Sequence, residues 1–244
     1  LYGRFDDHKT TGFNETYKKN LNKIIKNFKI GATHSTGLRN PSLYELYGSA
    51  DYNYKGNRNL DAEKSTTNEI FASYELQDNL TFKSTVYRAT IFDRIEQTSN
   101  YRSYENKKLD LNQEGLESEL IFNRKNQKIS LFTNFSKSKT TGGDAQLRRP
   151  DITHGANYYQ KFNSSLIGIF DMNLNYKFTG KHWDISSGNV EVKSTNIVNL
   201  LASKNLNNTN FKVSISNLLN ERYERPITYS QDGRQLRVGF SKNF

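Results

Sequence analysis

LIGIFDMNLNYKFT, residues 166–179, sets Leu166, Gly168, Phe170, Met172, Leu174, Tyr176 and Phe178 on one parity. Asp171, Asn173, Asn175, Lys177 and Thr179 fall on the other. Successive side chains of a strand point to opposite faces, so this is a strand with one greasy and one polar side. The pattern recurs along the chain. Phe28, Ile30 and Ala32 form one such face, and Ile70, Ala72, Tyr74 and Leu76 form another. Ile129, Leu131 and Phe135 repeat it with Thr133 interrupting, and Phe211, Val213 and Ile215 oppose Lys212, Ser214 and Ser216. It runs on in the closing LRVGFSKNF (236–244), where Leu236, Val238, Phe240 and Phe244 share a parity. About twelve such segments are expected, each roughly 9–14 residues long. No helical stripe extends beyond a turn or two.

Composition narrows what the greasy side faces. Only 34% of the 244 residues are hydrophobic, yet aromatics reach 13%. A disordered chain carries few aromatics, and a thick two-layer core needs more apolar material. The longest apolar runs, LIGIF (166–170) and IVNLLA (197–202), are far shorter than the roughly 20 residues of a membrane helix. The first residue is Leu, and residues 1–20 lack a basic start with an apolar core, so a processed chain or fragment without a signal peptide is expected. With no cysteine, disulfides, thiolate metal sites and cysteine nucleophiles are excluded. The net charge of +10 is spread evenly and marks no nucleic-acid patch.

The connections carry more information than the strands. Short polar turns are expected near 21–26, 77–79, 123–127, 161–164 and 204–208, and longer connections near 37–64, 93–108, 138–149, 180–191 and 217–233. Short and long alternate, apart from the short DHKTTG connection (7–12) in a long-side position. In an antiparallel meander this sorts short turns to one end and long loops to the other, as in transmembrane β-barrels. About 10 residues rising about 3.3 Å each, tilted near 40°, climb roughly 25 Å, the height of the outer-membrane apolar band. The fold class is therefore all-β, a transmembrane antiparallel up-and-down barrel, greasy parity toward lipid.

GLRNPSLYELYG (37–48) and GNRNLDAEKSTTNEI (56–70) closely resemble a signature of TonB-dependent outer-membrane receptors, through Arg39, Pro41, Ser42, Leu43, Asn57, Leu60, Glu63, Lys64 and Ser65. Ala62 stands where that pattern usually has Pro. EGLESEL (114–120), LRRP (147–150), SNLLNERYE (216–224) and GRQLRVGFSKNF (233–244) follow in the family's order. The resemblance covers essentially the whole chain. It implies residues 1–244 are the C-terminal part of such a barrel, about 12 of about 22 strands, with the plug domain absent. It also implies a cell outer membrane location in a Gram-negative bacterium. The expected activity is active import of a scarce bulky ligand, a corrinoid such as cobalamin or an iron chelate such as a ferric siderophore or haem. Implied partners are the TonB energy-coupling complex through the plug, outer-membrane lipid and lipopolysaccharide, the barrel assembly machinery and the small-molecule ligand. No nucleic acid, cofactor, metal or catalytic residue is expected, and the chain is not expected to be an enzyme.

Aromatics at strand ends (Tyr17, Phe135, Tyr158, Phe178, Phe244) read as interfacial girdle. Ligand-contact candidates in the long loops are Tyr52, Tyr54, Arg58, Tyr101, Trp183 and Tyr229, against the plainer reading that loop rings pack on one another. Phe240 and Phe244 are candidates for an assembly signal. The segment 37–48 is expected to be a loop turn. Of His8, His34, His154 and His182, only His34 and His154 are expected on strands, and none has metal-ligand spacing. DLNQEG (110–115) imitates a calcium loop, but its twelfth position is Ile121 where Glu is required. The rival readings are a passive porin, a barrel enzyme with a nucleophile–base pair near the loops, and a soluble basic β-domain that binds nucleic acid.

Overall fold

A computed structural model describes residues 1–49, 54–185 and 188–242. The elements in chain order are β1 (Tyr2–His8), β2 (Gly12–Ile25), β3 (Phe28–Arg39), α1 (Leu43–Tyr47), β4 (Gly48–Ser49), β5 (Tyr54–Lys55), β6 (Glu63–Gln77), β7 (Leu80–Phe92), β8 (Ile95–Gln97) and β9 (Tyr104–Asn106). They continue with β10 (Leu111–Arg124), β11 (Gln127–Thr140), β12 (Ile152–Ser164), β13 (Gly168–Thr179), β14 (His182–Ile185), β15 (Asn189–Val192), β16 (Thr195–Leu206), β17 (Thr209–Ser216) and β18 (Gln235–Lys242). Twelve of these form one antiparallel meander in the order β1-β2-β3-β6-β7-β10-β11-β12-β13-β16-β17-β18. The expected strand number and all-β class hold. The remaining strands pair inside the long connections as β4–β5, β8–β9 and β14–β15.

The chain divides into two compact units: Leu1–Ala72 with Thr85–Gly115 and Lys137–Gln146, and Ser73–Ser84 with Leu116–Ser136 and Leu147–Phe244. In the second unit the registers prove the parity reading. His154, Ala156, Tyr158 and Phe162 of β12 stand opposite Phe178, Tyr176, Leu174 and Phe170 of β13. Tyr176, Leu174 and Met172 stand opposite Val198, Leu200 and Ala202 of β16. Leu200 meets Ile215 and Ala202 meets Val213 of β17, which in turn meet Leu236 and Val238 of β18. The greasy face thus continues from strand to strand. Ser130, Asn157, Asn175 and Asn199 align across four strands on the opposite face.

The apolar face is left open, half-buried along β13 and β16 and exposed along β17 and β18, where a water-soluble sheet would cover it. Leu131, Phe135, Phe211, Val213, Leu236, Val238 and Phe240 are all exposed on the apolar face. Leaving a large apolar side chain fully wet forgoes about 1.5–3 kcal/mol, and seven that are 42–77% exposed forgo roughly 6–12 kcal/mol, comparable to a whole domain's stability. The buried apolar residues lie mostly in the connections: Leu46, Tyr54, Leu60, Ala62, Ile95 and Val192. Among the described residues, no second layer covers the sheet's greasy face.

Gly155 shows how closely the polar face is fitted. A Cβ there would lie 2.2 Å from the Tyr176 carbonyl oxygen and 2.6 Å from the Phe132 ring. The gap left by the missing side chain is where the Phe132 ring sits.

The turns fall where expected in kind but not always in place. The β12–β13 turn is expected at 161–164, yet β12 runs to Ser164. Lys161 pairs with Asp171, and Phe162 stacks on Phe170 at 5.1 Å, so these residues belong to the ladder. Between β16 and β17 the two-residue turn is Asn207–Asn208, with φ of 43° and 64°, the left-handed pair that a tight hairpin requires. The segment 37–48 is not the plain turn expected. Ser42 accepts from the Glu45 amide while Glu45 accepts from the Ser42 amide, a capping box that nucleates the one-turn helix α1.

Candidate functional site

In a meander, every second connection emerges at the same end of the strands. Within each unit the long connections therefore share an end, and each unit folds its own set into a built structure. In the first unit, Arg39 at the end of β3 reaches Glu45 of α1 at 3.1 Å and Glu63 of β6 at 3.1 Å. Glu63 also accepts from the Ile95 amide at 3.2 Å. Burial alone would raise the Glu45 carboxyl, but the Ser42 amide and hydroxyl and the Arg39 guanidinium hold it below its ordinary value. Leu46, Leu60 and Ile95 form a small core with Tyr104 packed against it. Gly48 turns at φ 74°, and a Cβ there would meet the Tyr54 carbonyl at 2.2 Å. This residue lets β4 lie against β5.

Tyr54 sits within that packing. It is 7% exposed, stacked on Tyr44 at 4.6 Å and edge-on to Tyr104 at 5.5 Å. Burial pushes its phenol well above the ordinary range, with Tyr104 adding to the shift. The ring is thus part of the loop's own core. Arg58 lies over the Tyr47 ring at 5.0 Å, and Tyr47 and Tyr101 stay exposed. Tyr52 lies outside the described residues.

In the second unit three connections meet at one carboxylate. The hairpin β14–β15 puts His182 and Asp184 on its buried side, Trp183 and Ile185 on its exposed side. Asp184 is 0% exposed. Its Oδ1 accepts from Arg148 Nε at 2.6 Å and from the Ile185 amide at 2.8 Å, and its Oδ2 accepts from the Ile227 amide at 2.9 Å. The Arg148 amide donates to the Trp183 carbonyl at 2.7 Å. Residues 36 and 43 apart in sequence are thereby fastened to Asp184. Asn217, 5% exposed, braces the last connection: its Nδ2 donates to the carbonyls of Glu221 and Asp232 and its Oδ1 accepts from the Glu221 amide. Tyr229 stands exposed beyond it.

Burial by itself would raise the Asp184 carboxyl. The Ile227 amide, the Arg148 guanidinium and the Ile185 amide outweigh it and hold the group below its ordinary 3.8. With the folded value below the unfolded one, the clasp's stabilisation is complete above the unfolded value and is lost as pH falls through the folded one. Hydrogen exchange of the Ile185 and Ile227 amides, corrected for intrinsic rates, is expected to show constant protection from neutral pH to about 5 and a fall only below about 4. A fall near pH 6 would assign the clasp to another group.

The other expected features are placed as follows. His34 and His154 are on strands as anticipated, but His8 ends β1 and His182 opens β14. His34 bonds Tyr17 at 3.1 Å and Asn68 at 2.7 Å, and His154 stacks on Phe178 at 4.5 Å. No His, Cys, Asp and Glu group among the described residues has the arrangement of a metal site. Phe240 lies on β18 opposite Phe211, rings 6.4 Å apart. Phe244 lies outside the described residues. The Asp184 clasp was missed in sequence. Its one local signal is an acid beside Trp183, on the parity a hairpin buries.

The family described as TonB dependent receptor-like, beta-barrel matches residues 1–220. A search of curated proteins finds no match. Among solved structures, the siderophore receptor PirA from Acinetobacter baumannii is similar with a TM-score of 0.79 and 18% identity, over 99% of this chain and 43% of that one. The ferric enterobactin receptor PfeA from Pseudomonas aeruginosa, as its G324V mutant, gives 0.78 and 20%, over 98% and 41%. The FrpB iron transporter from Neisseria meningitidis gives 0.73 and 15%, over 94% and 39%. The chain spans about two fifths of the length of these proteins.

Proposed function

Because the chain belongs to the TonB-dependent receptor β-barrel family, we propose that it forms the loop-bearing part of an outer-membrane receptor that actively imports a ferric chelate. The observation that carries this reading is the open apolar face of the sheet, which nothing among the described residues covers, beside loops that hold their own packing. Such a wall suits hydrocarbon on one side and a polar bore on the other. The similar structures are receptors for siderophores and iron, which favours an iron chelate over cobalamin or haem. Energy from the TonB complex, acting through the family's plug domain, belongs to the same reading. So do surrounding lipid and lipopolysaccharide, and Phe240 and Phe244 as the assembly machinery's signal.

Within this reading, cargo meets the exposed rims of the loops. Arg58 and Tyr101 offer a cation and a ring in the first unit, Trp183 and Tyr229 two rings in the second. Tyr52 is proposed as a further contact on sequence alone. Tyr54 is proposed to support the rim from beneath, since its ring is enclosed. Such anchors are worth about 2 kcal/mol when they are hot spots.

The test is growth of a receptor-deficient Gram-negative strain carrying the complete gene, on ferric siderophore or on cobalamin as the limiting nutrient. Rescue by the iron chelate is expected, and Trp183→Ala and Tyr229→Ala should each weaken chelate binding about tenfold or more. Rescue by cobalamin alone would overturn the cargo. Uptake that persists after loss of TonB would favour a passive porin.

A further inference from the structure

β2 and β3 separate before they end. Their ladder runs from Ile25 opposite Phe28 to Lys18 opposite Ser35 and stops there, although β2 begins at Gly12 and β3 ends at Arg39. Where it stops, the Tyr17 amide donates to the Thr36 hydroxyl at 2.9 Å. Farther on, the Thr11 hydroxyl donates to Asn40 Oδ1 at 2.7 Å and draws the two chains together again. Between these closures lie residues 12–16 on one side and 37–39 on the other, five against three. The longer side must bow away, as in a β-bulge, a device common at barrel rims and beside functional sites. The gap holds a cavity of about 570 Å³, a size that suits a small ligand or a headgroup.

The cavity lies on the greasy parity. Phe13 and Glu15 share the side of Leu21 and Ile25 on β2, which β1 keeps in regular register from Gly12 to Lys18. Thr36 and Leu38 continue the Phe28, Ile30 and Ala32 side of β3, and Lys64 and Thr66 the Ile70 side of β6. Polar groups on this parity gather next to it. Tyr17 bonds His34 at 3.1 Å, His34 bonds Asn68 at 2.7 Å, and Lys19 lies over the Tyr17 ring at 5.0 Å. Such groups are costly in hydrocarbon and suited to the headgroup layer. The cavity thus sits at headgroup height, on the long-loop side of the greasy rows.

Its lining is amphiphilic. Phe13, Leu38 and Phe92 supply apolar wall, while Lys64 and Glu15 bring one charge of each sign. Both charges are exposed, and neither is engaged in an ion pair among the described residues. Glu63, the acid next to Lys64 in sequence, is taken by Arg39. We propose that this cavity seats a zwitterionic phospholipid of the surrounding bilayer. Lys64 takes the phosphate and Glu15 the ammonium, while an acyl chain runs along Phe13, Leu38 and Phe92. A primary ammonium, as in phosphatidylethanolamine, also donates hydrogen bonds to the carboxylate. A lipid with phosphate alone leaves Glu15 facing a like charge. The site depends on the membrane reading of the sheet and specifies one lipid class within it.

The experiment uses the complete receptor, purified in detergent and shown to be folded by its heat-modifiable migration on gels. Native mass spectrometry follows its binding of phosphatidylethanolamine, phosphatidylcholine and phosphatidylglycerol. One saturable copy of phosphatidylethanolamine is expected, held at least tenfold more tightly than phosphatidylglycerol. Lys64→Met should weaken it about tenfold, and Lys64→Arg should retain most of the binding. Glu15→Gln should lower phosphatidylethanolamine to the level of phosphatidylglycerol, and decides the matter if Lys64→Met fails to fold. Equal retention of all three lipids by wild type and variants, the mark of an unselected lipid ring, overturns the site. Tighter binding of phosphatidylglycerol than of phosphatidylethanolamine overturns it too. Failure of the wild type to insert into liposomes overturns the membrane reading itself, and the site with it.

Discussion

Replacing Asp184 with Ala should release the outer connections of the second unit and raise their cleavage by trypsin about a hundredfold. The carboxylate is fully enclosed and receives two amides and a guanidinium. Each amide bond to a charged acceptor is worth about 1.5–3 kcal/mol. Arg148 is more than half exposed and regains water when freed, so its ion pair adds little. A loss of about 3 kcal/mol, confined to the loops, multiplies their open population by about a hundred, since about 1.4 kcal/mol is tenfold. Cleavage tracks that population when the loops reclose faster than the protease cuts. Mass spectrometry should place the new cuts after Lys181 and Arg222, with the strands intact. Asp184→Asn keeps an acceptor oxygen and loses the charge, and should fall between, near tenfold. A rate within about threefold of wild type for the Ala variant would show that the three connections are held by something else.

The second large effect separates the two faces of one strand. Leu174→Arg is expected to destabilise the folded barrel by about 2–4 kcal/mol in lipid, the cost of a cation near the middle of the apolar band. Leu174 stands between Tyr158 and Leu200, deep in the greasy row. Its neighbour Asn173 stands between Tyr159 and Leu201 on the other face. Asn173→Arg should stay within about 0.5 kcal/mol of wild type, as a substitution at a water-facing site does. Denaturant unfolding in liposomes measures both. If Asn173→Arg were the damaging change, the faces would be assigned the wrong way round.

Much of this fold was legible because strand parity is a local property. The alternation in 166–179 and the unequal connections are readable without knowing any partner strand, and the motifs from Arg39 to Ser65 pointed to the family that the chain proves to match. What escaped depends on distance. Lys161 and Asn163 look like turn residues until Asp171 and Ile169 are found opposite them. The helix α1 was marked by Ser42 and Glu45 three residues apart, but its stability also rests on Arg39 and on contacts with later segments. The Asp184 clasp needs Arg148 and Ile227, which no local pattern joins to it. Trp183 drew notice as a large ring, while the residue beside it carries the architecture. Tyr54 shows the converse: its sequence context suggested an accessible ring, and packing by Tyr44 and Tyr104 encloses it.

The row of Ser130, Asn157, Asn175 and Asn199 bears on the proposed import. Asn157 donates to Ser130, and Asn175 donates to Asn157. Hydroxyls and carboxamides do not titrate, so at this level the lining has the same electrical character in acid and in base. If this face lines the bore proposed above, a solute there would meet neither a toll-gate of fixed sign nor a sticky counter-ion, and discrimination would fall to the entrance.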